Sequence, residues 1–213
     1  YYHKKHALVN GWRKVFQNND LAFYWVQLAN FRKENQSPAG GDGWAKIREA
    51  QTKALDIPGT GMAVITDIGA ANDIHPRNKQ DVGWRLAQWA LHQTYGKKDM
   101  VPAGPLYKSQ KVEGNTIRLS FNYVGKGLMV GKKKGLDPTE EVKGGKLGHF
   151  AIAGEDKKWF WGEATIDGDT VVVKSKDVPK PFAVRYGYTM NPAKANLYNK
   201  EGIPASPFRT DNW

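Results

Sequence analysis

The 213-residue chain is 40% apolar and carries 8 Trp, 9 Tyr and 8 Phe, a content that predicts a packed core and excludes a disordered chain. No apolar run approaches the roughly 20 residues of a membrane span, the start "YYHKKHALVNGWRK" lacks the apolar region and cleavage site of a signal peptide, and the absence of cysteine excludes disulfides, thiolate metal sites and a cysteine nucleophile. The net charge of +11 comes from scattered Lys and Arg, densest at Lys132, Lys133 and Lys134 in a Gly-flanked turn; that scatter reads as a solvated surface and not as a nucleic-acid interface, with attraction to an anionic glycan as the functional alternative.

Up to residue 100, helical and strand-like patterns alternate. Leu8, Trp12, Val15 and Phe16 recur at helical spacing. "LAFYWVQLA" (21–29) is a continuous apolar run with the character of a buried parallel strand. A Gly/Pro/Ser loop (35–43) follows, and then Trp44, Ile47, Ala50 and Ala54 mark a second helix with Asp42 as its cap and Pro58 as its stop. "MAVITD" (62–67) predicts a second buried strand. From Pro76 onward Val82, Leu86, Trp89 and Ala90 mark a third helix, which Gly96 ends. One βαβ crossover is complete, and two strands are too few for a doubly wound sheet, so further strands are expected before Tyr1.

Residues 101–213 read as short strands and Gly-bearing turns. "VEGNTIRLSF" turns at Gly114–Asn115 and then alternates Ile117, Leu119 and Phe121 on one face. Asp167–Gly168 is a hairpin signal between Ile166 and Val171. "PFAVRYGY" (181–188) alternates again. The expectation is an α/β chain with its division near residue 100, the second part being an antiparallel β domain of sandwich type.

The chemistry concentrates at "ANDIHP" (71–76). His75 follows a buried strand, where open α/β sheets place ligands. Pro76 suits a first helical position, which puts His75 at about the cap, where the positive end of the helix dipole favours neutral imidazole. Asp73 is near enough in sequence to fix the tautomer. A loop histidine that only caps the helix is the alternative. Gln27 and Asn30, at the end of the first strand, are candidates to face a pocket on position alone. A base needs a nucleophile, and Ser37, Ser109, Ser120, Ser175 and Ser206 are the only serines. None sits in a strand–Ser–helix elbow, and Pro38 argues against Ser37. His3 and His6 read as surface residues, and His92 and His149 as structural. Trp159, Phe160 and Trp161 read as core, with a sugar-stacking platform as the alternative. No phosphate loop and no metal-ligand spacing occur.

Seven segments, "FYWVQLANF" (23–31), "WAKIREAQ" (44–51), "IPGTGMAVITDIG" (57–69), "DIHPRNKQDVGWRLAQWAL" (73–91), "GPLYKSQ" (104–110), "HFAIAGEDKKWFWGEATIDGDTVVVKS" (149–175) and "PFRTDNW" (207–213), resemble the sialate O-acetylesterase family of SGNH hydrolases. The resemblance implies residues 1–100 as the C-terminal part of a flavodoxin-like three-layer α/β/α domain, followed by a β-rich domain over 101–213. It implies a secreted, periplasmic or lysosomal serine esterase without metal or organic cofactor that removes acetyl groups from sugars, with His75 matching the catalytic histidine. The orienting acid is open: the wider superfamily has Asp three residues before His, where this chain has Asn72, and Asp73 or a backbone carbonyl could serve. The family's Gly-Gln-Ser-Asn-like nucleophile motif does not occur, so the chain is expected to be the C-terminal portion of a longer enzyme, partnered by an N-terminal portion and inactive by itself. An esterase acting on acetylated xylan or a similar polysaccharide, and a non-catalytic carbohydrate-binding chain, are the alternatives.

Overall fold

The computed structural model describes residues 1–213. In the first hundred residues, helix α1 (Tyr2–Val15), strand β1 (Phe23–Val26), helix α2 (Gly43–Lys53), a 3-10 turn (Ala54–Asp56), strand β2 (Thr60–Ala63) and helix α3 (Lys79–Gln93) follow one another. β1 and β2 pair in parallel, with Phe23 opposite Thr60 and Val26 opposite Ala63, and the connection through α2 supplies the long crossover that parallel pairing requires.

The outer edge of β2 is closed by side chains of α3. Gln93 Nε2 donates to the carbonyl of Thr60 (3.0 Å), Trp89 Nε1 to that of Met62 (2.9 Å) and an Arg85 guanidinium nitrogen to that of Val64 (2.7 Å). The two periods match: four residues of helix rise about 6.0 Å, and two residues of strand advance about 6.6 Å. Gly61 lets the helix come this close, since a Cβ there would lie 2.5 Å from the Trp89 indole.

Three expectations about the helices need correction. The Leu8/Trp12/Val15/Phe16 stripe of α1 faces outward, with Trp12 45% and Val15 72% exposed; Lys5 and Val9 face inward, and the Lys5 ammonium sits 4.7 Å from the Trp25 ring centroid. The inward face of α2 is Ala45, Arg48 and Gln51, although Asp42 caps it as expected, accepting from the Ala45 amide at 2.9 Å. α3 starts at Lys79, three residues beyond Pro76, because Asn78 takes the cap by accepting from the Asp81 amide at 3.0 Å.

The rest of the chain is antiparallel. β3 (Leu106–Glu113), β4 (Thr116–Asn122), β9 (Glu163–Asp167) and β10 (Thr170–Lys174) form one four-stranded sheet in the order β3-β4-β10-β9. β7 (Phe150–Ala153), β8 (Trp159–Trp161), β11 (Ala183–Tyr186) and β13 (Phe208–Arg209) form another in the order β13-β11-β7-β8. β5 (Leu128–Lys132), β6 (Glu140–Glu141) and β12 (Leu197–Asn199) form a third, smaller sheet. Two-residue turns at Gly114–Asn115 and Gly168–Asp169 join β3 to β4 and β9 to β10, with Gly114 at φ +62° and Gly168 at φ +57°, conformations natural to glycine. Ile117, Leu119, Val171 and Val173 of the first four-stranded sheet share one 15-residue core with Phe150, Ile152, Val184 and Tyr186 of the second. β11 departs from the expected alternation, since all four of its residues are buried.

Arg48 ties the two parts together. Its side chain is fully enclosed and donates to the carbonyls of Leu28 (2.8 Å) and Ala29 (2.6 Å) at the end of β1, and to those of Thr189 (2.5 Å) and Met190 (2.9 Å) in the β-rich part. Asp42 accepts from the Met190 amide (2.6 Å), and Glu49 accepts from Tyr188 (2.5 Å) and Arg209 (3.0 Å).

Candidate active site

The carboxyl ends of β1 and β2 open toward the β-rich part. Past β2 the chain stays buried to Asp67, whose carboxylate receives both terminal nitrogens of Arg85, at 2.6 and 2.7 Å, and the Tyr198 hydroxyl at 3.2 Å. Both charged side chains are only 3% exposed, so the bidentate geometry matters: an unpaired charge there would be costly. Burial, with the Asp67 charge second, pushes the Tyr198 phenol well above its ordinary value and keeps it a donor. This pair anchors the start of the loop that carries His75.

His75 stands out from that loop with its side chain 83% exposed. Its Nδ1 is 3.4 Å from Asp73 Oδ1, while the same oxygen accepts the His75 backbone amide at 2.9 Å. That backbone bond is the first cause holding the Asp73 carboxyl below its ordinary range. Asp73 is therefore an acceptor fixed beside Nδ1, leaving Nε2 free to exchange protons. Asn78 and not His75 caps α3, so His75 lies outside the first turn, where the dipole acts.

Gln27 and Asn30 part company. Gln27 is 1% exposed and donates to Thr52 Oγ1 (3.0 Å) and Ser206 Oγ (2.9 Å), inside the contact between the two parts. Asn30 donates to Asn191 Oδ1 at 3.2 Å, but its own buried Oδ1 has no partner. It lines a cleft of about 530 Å³ shared by Asp67, Gly69, Lys132, Lys146 and Tyr198. Gly69 is required here: a Cβ would come 2.0 Å from Asn30 Oδ1.

No serine hydrogen-bonds His75, whose only bonded partner is Asp73. Ser206 is buried against Gln27 and Thr52. Ser37 lies in the exposed loop after β1, with its amide and carbonyl taken up by the Asn35 side chain. Neither is placed as a nucleophile for this histidine. The sequence reading missed Asp67, Arg85 and Tyr198 as positioning residues. An acid at a strand end with an arginine eighteen positions later was the only available signal.

No protein-family model matches the chain. Among solved structures, a carbohydrate acetylesterase from Xanthomonas citri superposes with a TM-score of 0.85 at 43% identity, over 97% of this chain and 45% of that one. The chain thus shares its fold with part of that carbohydrate acetylesterase. More particularly, the chain is similar to sialate O-acetylesterases: the rat protein is 28% identical over 225 residues, covering 95% of this chain and 39% of its own, and the human protein is 31% identical over 131 residues, covering 55% and 25% respectively. The chain spans about two fifths of the length of the rat relative. No helix is long and apolar enough to cross a membrane.

Proposed function

We propose that this chain is the histidine-bearing portion of a carbohydrate O-acetylesterase acting by a serine–histidine mechanism. The similarity to sialate O-acetylesterases over 95% of the chain carries the reading, supported by an exposed His75 beside an ionised Asp73. In this reading residues 1–100 belong to an SGNH hydrolase domain of flavodoxin type and residues 101–213 to a β-sandwich domain. A serine outside these 213 residues attacks the acetyl carbonyl while His75 takes its proton. Collapse of the tetrahedral intermediate breaks the ester bond, and His75 returns the proton to the departing sugar oxygen. Water, deprotonated by His75, then releases acetate and restores the serine. Asp73 holds the tautomer that makes both transfers possible. Asn30 lines the cleft that receives the substrate, whereas the enclosed Gln27 positions the strand end. The enzyme works in a secreted or lysosomal setting.

Acetate release from an acetylated sugar, measured on the protein extended to the length of its relatives, tests this. His75→Ala is expected to lower the rate by roughly 10²–10⁴-fold, and the 213-residue chain by itself to release none. Unchanged turnover in His75→Ala would remove the catalytic assignment. The cationic residues Lys132 and Lys146 at the cleft keep an acidic sugar such as a sialate as the leading substrate over acetylated xylan.

A further inference from the structure

We infer that a depression adjoining the cleft through Lys194, and walled also by Glu34, Asn35, Gln36, His149 and Trp161, is a subsite for one neutral pyranose ring of an oligosaccharide, stacked on Trp161. Its volume is about 220 Å³, below the roughly 300 Å³ at which pockets for drug-sized ligands begin, which suits one ring and not a chain. Trp161 ends the edge strand β8 and is 44% exposed, an unusual outlay of apolar surface at a concave wall. The His149 ring meets the indole edge-on, with centroids 5.5 Å apart at 87°, and braces it.

His149 itself adopts φ +58°, a left-handed conformation that a non-glycine side chain rarely takes. The Gly187 amide, donating to the His149 carbonyl at 3.0 Å, helps hold it there. Backbone strain of this kind collects at binding sites.

The polar groups set the ligand class. Glu34 Oε1 and the Lys194 ammonium pair at 3.1 Å, which cancels both charges. His149 is buried and 3.7 Å from the same carboxylate oxygen, so the depression offers no unpaired charge to an anion. A carboxylated sugar finds better company at Lys132 and Lys146 in the larger cleft. Still open for hydroxyl groups are the second Glu34 oxygen and the Gln36 amide. An apolar C–H face on an indole with hydroxyls directed at planar polar groups is how a pyranose ring is held. Glu34 and Gln36 stand on the loop that leaves the carboxyl end of β1, and His75 stands on the loop that leaves the carboxyl end of β2. Both sites therefore lie at the same end of the parallel pair. The subsite's function rests on the esterase reading, as a hold on the glycan beyond the acetylated unit; its existence does not.

Binding of xylotetraose and of 3′-sialyllactose to the 213-residue chain, followed by titration calorimetry, tests the inference without any hydrolysis. The expected result is saturable binding of xylotetraose that weakens about tenfold or more in Trp161→Ala, as loss of a stacking face implies. It should survive in Trp161→Phe, in His75→Ala and in Trp84→Ala, an exposed indole elsewhere. Circular dichroism confirms that each variant is folded. Absence of saturable xylotetraose binding, binding of 3′-sialyllactose alone, or affinity indifferent to Trp161→Ala would each overturn the subsite. Loss of turnover in His75→Ala of the protein extended to the length of its relatives, with xylotetraose binding by the 213-residue chain intact, separates this outcome from the fate of the esterase reading.

Discussion

At the scale of the residue, Arg48 shows what a sequence read by polarity misses. An arginine within an amphipathic pattern is assigned to solvent, yet this one is fully buried and satisfies four backbone carbonyls. Burial pushes its guanidinium down to about 9, with Asp42 opposing, so it remains charged at neutral pH. A planar fork with five donors suits this task and an ammonium does not. Arg48→Ala should lower stability by roughly 3–5 kcal/mol, because it strands buried acceptors as well as opening a cavity. Arg48→Lys should recover only part of that loss, and urea midpoints of the two variants check both. His149 gives the pH counterpart. Burial holds its imidazole below the ordinary value of 6.5, with Glu34 opposing and Lys194 reinforcing. The unfolded chain therefore binds the proton more readily, and this contribution to stability, full above about pH 6.5, falls away as the pH drops further. Between pH 7 and 5 the parent should lose more stability than His149→Gln; parallel losses would show that His149 does not titrate as described.

At the scale of the element, strands and turns were more legible than helix faces. The apolar run at 21–29 announced β1, and Gly114 and Gly168 announced the β3–β4 and β9–β10 hairpins, because those signals depend on local backbone chemistry. The run at 62–67 overlaps β2 only at Met62 and Ala63, since the pairing with β1 begins at Thr60 and the chain past Ala63 leaves the sheet. The faces of α1 and α2 were not legible. Their inward residues Lys5, Arg48 and Gln51 are polar, and their partners, the Trp25 ring and the carbonyls of strand ends, are distant in sequence. Cap position likewise turned on a local contest, in which Asn78 prevailed over the residues before Pro76. Close approach between elements was hidden as well. Gly61→Ala, a mild change in a strand by propensity, should cost about 1–3 kcal/mol, since the new methyl would overlap the Trp89 indole. A thermal melt of the variant checks this; an unchanged midpoint would mean that α3 can retreat from β2 freely.

At the scale of the whole molecule, the change from alternating helices and strands to antiparallel strands after Gln93 was visible as a change to turns and short strands. What joins the two sides was not visible, because it is polar and long in range: Arg48 to Thr189, Asp42 to Met190, Glu49 to Arg209 and Gln27 to Ser206. That Asp73 lies beside His75 could be anticipated because the two are close in sequence. Of the Glu34/His149/Trp161 depression only Trp161 was legible, as part of the alternative stacking platform, because the walls at Glu34, Asn35 and Gln36 come from positions more than a hundred residues away.

The rungs from α3 to β2 bear on how the His75 loop can move. Arg85, Trp89 and Gln93 fit the carbonyls of Val64, just past β2, and of Met62 and Thr60 within it, at intervals of about one helical turn. A slide of α3 by a single residue would break every rung, whereas a slide of one full turn, about 5.4 Å, would restore two of the positions. The helix therefore behaves as a toothed part on a rack, with stops and no continuum between them. The arch bearing His75, rooted in β2 at one foot and α3 at the other, inherits those stops and holds its histidine at a set span.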